Sequence, residues 1–97
     1  MSKVSKKAQK AVYEAVVDWF VEFTHEPKDY VEKNCWLMPN FEWGYKPYDA
    51  INSEGIHYGW TNEVCQNAKV QAVAKKHGVF IEPYTGWSLG LYKAYEA

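Results

Sequence analysis

Residues 4–23 impose the strongest constraint on the fold. Val4, Ala8, Ala11, Val12, Ala15, Val16, Trp19, Phe20 and Phe23 recur at steps of three and four, the spacing of one helix face. Ser2 or Ser5 supplies a capping hydroxyl at the start. Tyr13, Val17 and Val21 widen the apolar stripe beyond one face, and a stripe that broad calls for cover on two sides. In a chain of 97 residues one of those sides is expected to be covered by a second copy, so a homodimer through this helix is predicted. The charges run against the helix dipole, with Lys3, Lys6, Lys7 and Lys10 first and Glu14, Asp18 and Glu22 last. The basic start reads as a solvated end; its functional alternative is a small patch for an acidic partner or a phosphate.

What packs on that helix must be unusual, because Leu and Ile are scarce: Leu37, Leu89 and Leu91, with Ile51, Ile56 and Ile81. Aromatics stand in for them, with 5 Trp, 8 Tyr and 4 Phe. Trp and Tyr join an apolar body to a polar tip, which suits half-buried walls and interfaces. The length sets one domain, residues 1–97.

After the helix, Pro27 opens a short second helix that stops near Asn34, and Pro39 breaks the apolar run CWLM. Two alternating stretches follow: Phe41, Trp43 and Tyr45, then Ile56, Tyr58 and Trp60. Period-two alternation predicts half-buried strands. Pro47, Asp49, Asn52, Ser53 and Gly55 lie between them as turn residues. The pair is expected to form an antiparallel hairpin with Trp43, Tyr45, Tyr58 and Trp60 on one face and Gly44 and Gly59 bare on the other. Thr61 caps a helix reaching about His77 and ending at Gly78. VFIEP and the alternation Trp87, Leu89, Leu91 predict two more strands, and YKAYEA is open to a last helical turn. The expected architecture is α+β, a small antiparallel sheet of about four strands packed against two main helices.

Function classes narrow by composition. The basic residues are 11 Lys and no Arg, and the net charge is −1, so a basic nucleic-acid surface is not expected. No apolar run matches a membrane span or a secretory leader, and Cys35 and Cys65 suit reduced thiols, so a cytoplasmic protein is expected. No phosphate loop, GxSxG, HExxH or CxxC is present, and no cofactor is implied. Glu54, His57 and Cys65 are the nearest set to a metal or Cys–His site, but Cys65 falls on an apolar helix face, where an inert thiol is the common case.

The aromatic cluster stands above this background. The expected binding residues are Trp43, Tyr45, Tyr48, His57, Tyr58, Trp60 and Trp87, with Tyr48 and His57 within reach of solvent. The reading is a non-enzymatic protein-interaction module, an accessory or inhibitor protein of bacterial or phage type that binds a protein partner through an aromatic patch. The alternative is a small-ligand protein that stacks a nucleotide or sugar between the rings.

Overall fold

The computed structural model describes residues 4–94. Ser2, Lys3 and the last three residues of YKAYEA lie outside them, and Tyr92 and Lys93 of that stretch are strand. The chain runs α1 (Lys6–Thr24), α2 (Lys28–Lys33), β1 (Trp36–Phe41), β2 (Tyr48–Asn52), α3 (Trp60–Cys65), α4 (Ala68–Lys76), β3 (Val79–Pro83) and β4 (Ser88–Lys93). The strands form one antiparallel sheet in the order β1-β2-β4-β3, so the expected α+β class holds.

Helix α1 begins where Ser5 accepts a hydrogen bond from the Ala8 N–H at 3.1 Å, and ends where His25 turns left-handed at φ 61°. Val12, Val16, Val17, Trp19 and Phe20 are buried, and α2, α4 and the sheet supply the cover. Most of the α1 stripe is thus covered within one chain, while Phe23 stays exposed and Tyr13 and Val21 are half-buried.

The hairpin lies elsewhere than its alternation suggests. Its arms are residues 36–41 and 48–52, not 41–45 and 56–60. Pro39 does not end the first strand, because β1 is an edge strand, where a missing N–H costs no ladder bond. A bulge follows it: the register shifts between Met38 and Phe41, Asn40 takes φ 55°, and its N–H donates to Asp49 Oδ1 at 2.9 Å. The stretch 56–60 is not a strand. Gly59 at φ 88° turns the chain left-handed, and Trp60 opens α3. Thr61 is therefore no cap; its hydroxyl donates to the Thr85 carbonyl. The single helix expected over 61–77 is two, because the Asn67 side chain accepts from the Val70 N–H at 3.0 Å and starts α4 afresh. No helix among the described residues is long and apolar enough to cross a membrane.

The hydrogen-bond pattern assigns each strand edge. The Ser53 N–H donates to the Trp87 carbonyl at 2.9 Å across β2 and β4, so the neighbouring pairs Ile51–Leu89 and Asp49–Leu91 bond there too. Tyr48, Ala50 and Asn52 then bond toward β1, which leaves Cys35, Leu37 and Pro39 pointing outward. The Cys35 carbonyl is already taken by the Tyr13 hydroxyl at 2.7 Å, and Pro39 has no N–H to give. Leu37 keeps both its N–H and its carbonyl along this edge, while Pro39 can only accept. On the far edge, α3 packs beside β3.

Candidate docking surface

Register sorts the side chains of the sheet into two faces. Leu37, Ile51, Leu89, Leu91, Val79 and Ile81 share the face that meets the helices. Trp36, Met38, Tyr48, Ala50, Asn52, Ser88, Gly90, Tyr92, Phe80, Glu82 and Tyr84 share the other. No helix covers that second face. The protein covers it with its own aromatic rings.

Tyr48 is the keel of this layer. Its hydroxyl lies 2.6 Å from Ser88 Oγ, which in turn donates to Asn52 Oδ1, and Asn52 reaches Met38 Sδ at 3.1 Å. Ser88 pairs with Asn52, so the Tyr48 side chain leans along the face toward the far end of its own strand. The ring stacks on Tyr84 at 4.6 Å and meets Phe41 edge-on at 5.8 Å. Burial raises the Tyr48 and Tyr92 hydroxyl pKa values above their ordinary range, so both remain protonated donors near neutrality. Gly90 is required beneath them, since a Cβ there would stand 2.6 Å from the Tyr92 ring.

Three loops complete the layer. The connection 42–47 folds back onto it: Tyr84 Oη lies 3.4 Å from the Tyr45 N–H, and a Cβ on Gly44 would overlap that same hydroxyl. Trp43 packs edge-on against Trp87 at 5.1 Å, and Trp87 against Phe41 at 6.3 Å. Tyr58 lies on Gly86, where a Cβ would meet its ring at 2.6 Å. His57 beside it stands edge-on to Phe23 at 5.1 Å. Trp43, Tyr45, Tyr58 and Trp87 therefore line one rim, joined through Gly86 and Tyr84.

Two of the expected binding residues differ from expectation, one in place and one in exposure. Trp60 is fully buried, packs on Phe20 at 4.8 Å and donates its indole N–H to the Ser53 carbonyl at 2.8 Å; it belongs to the helix-side core. Tyr48 was expected within reach of solvent, but it is buried as the layer's support. The rings of Trp43, Tyr45, Tyr58 and Trp60 do not share one face, because Trp60 lies in the helix-side core. Gly44 is not bare, since Tyr84 occupies the space beside it; Gly59 is open but serves the left-handed turn into α3 and belongs to no strand. Sequence reasoning missed Trp36, Phe80 and Tyr84, whose half-exposed rings extend the surface.

The remaining chemistry is quiet. Among the described residues no three or more His, Cys, Asp or Glu side chains gather as a metal site, so Glu54, His57 and Cys65 do not form one. Burial pushes the Cys35 thiol up to about 12 and, with Glu82 adding to it, the Cys65 thiol up to about 11. Two surface depressions are open grooves, one along Leu37–Glu42 of β1 and one between α1 and α2 at Lys10, Tyr13 and Glu32. No protein-family model, curated protein or solved structure matches the chain.

Proposed function

We propose that the protein is a small docking module that binds a partner protein through its helix-free aromatic side. One observation carries this reading. Trp36, Trp43, Tyr45, Tyr58, Phe80 and Tyr84 are all 40% or more exposed, and they belong to one side of the sheet and its adjoining loops. Exposed aromatic surface on this scale marks interaction sites in soluble proteins, and Trp and Tyr dominate interface hot spots. The rings are pre-set by stacking and by glycine contacts, so little side-chain freedom is lost on docking. The reading extends to a cytoplasmic accessory or inhibitor protein, a setting that suits two reduced thiols.

The test is capture of partners by the immobilised protein beside its Trp43→Ala and Tyr45→Ala variants. A partner held by the native chain and lost by both variants is the expected result. Identical capture profiles for all three would overturn the reading.

A further inference from the structure

We infer that the partner of this surface is a second copy of the chain, docked face to face into a two-fold dimer; this rests on the docking reading above.

Four observations point to a second copy. The first is area. With rings of roughly 150–250 Å² each, the exposed parts of Trp36, Trp43, Tyr45, Tyr58, Phe80 and Tyr84 amount to about 700 Å², close to the ~800 Å² per partner of a standard stable interface. The second is charge. An isologous contact brings each residue near its own symmetry mate, so a charged centre would repel itself. Here the centre is Met38, Ala50, Gly90 and the Tyr48, Tyr84 and Tyr92 rings, all uncharged.

The third is the placement of the charges that remain. Glu82 lies on β3, at one side of the face, and Lys46 in the β1–β2 connection, at the other. A two-fold axis along the strands lays β3 of one copy over β1 of the other. It carries Glu82 over Met38 and Phe80 over the Phe41 end of β1 in the second copy, so the carboxylate of this face meets an uncharged row and lies across the sheet from its own symmetry mate. The fourth is the state of the β1 edge. The Tyr13 hydroxyl takes the Cys35 carbonyl and Pro39 lacks an N–H, so the β1 edge offers a second copy a broken ladder, and the face offers the larger contact.

Analytical ultracentrifugation from about 1 µM to 1 mM tests this, with variants at positions that are already exposed and so spare the fold. The native chain is expected to show a monomer–dimer equilibrium. Phe80→Glu and Trp36→Glu should each weaken it at least tenfold, while Tyr30→Glu, an equally exposed aromatic on α2, should leave it unchanged. Circular dichroism of each variant confirms that the fold is kept. A strict monomer across the range overturns the inference, as does a dimer indifferent to both Glu variants. If that monomer still captures a partner through Trp43 and Tyr45, the docking reading stands and only its occupant was wrong. If it captures nothing, both fall.

Discussion

The two faces of the sheet solve the same burial problem with different residues. The helix-side face presents Ile51, Leu89, Leu91, Val79 and Ile81, each at most 4% exposed, to the Val and Ala stripe of α1. Its polar groups are few, chiefly the Asp49 carboxylate, Ser53 and the Trp60 indole N–H, so shape decides most of the packing. The opposite face has no helix to lean on. It carries Tyr48, Tyr84 and Tyr92 above Asn52 and Ser88, and the rings themselves form the second layer. Such a layer must be apolar beneath and tolerate water above, which is what a ring with a polar tip provides. A sheet covered on one side only can therefore be completed by its own side chains, at the cost of leaving them half exposed.

That contrast is broken most forcefully at Trp60, the one of the four expected hairpin aromatics that sits on the helix side. Trp60→Ala removes a fully buried ring from Phe20 and Trp19 and orphans the Ser53 carbonyl. The expected loss is about 3–5 kcal/mol in urea unfolding, a large part of the stability of so small a domain. A loss below about 1 kcal/mol would place the ring outside the core.

On the other face the vulnerable group is polar. Ser88→Ala cuts the link between the Tyr48 hydroxyl and Asn52, both buried. Stranding them is expected to cost about 1–3 kcal/mol by the same measurement. The comparison predicts that a buried hydroxyl matters here and not on the aliphatic face. A neutral Ser88→Ala would mean that ring packing alone holds the layer.

Alkaline pH probes the seam where β1 meets α1. Burial raises the Cys35 thiol from an ordinary 9.0 to about 12, and desolvation with nearby Cys35 and Glu32 raises the Tyr13 hydroxyl from 10.0 to about 12. Both groups are protonated in the fold, and the unfolded chain releases its protons first. Their stabilising contribution is fully present below about pH 9 and is lost as the pH climbs toward 12. The urea midpoint should fall between pH 8.5 and pH 11, and Tyr13→Phe should flatten part of that fall. At neutral pH the half-buried Cys65 should react with a thiol reagent slowly, and the buried Cys35 more slowly still.

How much of this was legible depended on whether a residue's partner is local. The α1 stripe and the strands at 79–83 and 88–93 announce themselves, because period and burial agree along each. The hairpin was displaced because YDAIN reads as turn vocabulary: Asp49 and Asn52 look like solvent residues until the Asn40 N–H and Ser88 Oγ satisfy them. The alternation Ile56, Tyr58, Trp60 was an accident of spacing, ended by one left-handed glycine. The aromatic character of the site was legible. Which rings lie outside was not, since Tyr48 and Tyr84 are told apart only by which one the other covers.

The mildest substitution sharpens the comparison furthest. Tyr45 is 92% exposed, and its side chain makes none of the ring contacts that knit the layer; only its backbone N–H meets Tyr84. Tyr45→Ala should therefore change stability by less than about 0.5 kcal/mol. On the helix side an aromatic is retained because the fold fails without it. Here the fold has no use for the ring, and a large exposed aromatic adds a liability to association. If Tyr45→Ala leaves the unfolding curve in place while weakening docking at least tenfold, the two faces differ in purpose as well as in chemistry. If stability falls by 1 kcal/mol or more, the 42–47 connection is a structural strap and the docking surface shrinks to Trp36, Phe80 and the rim at Tyr58.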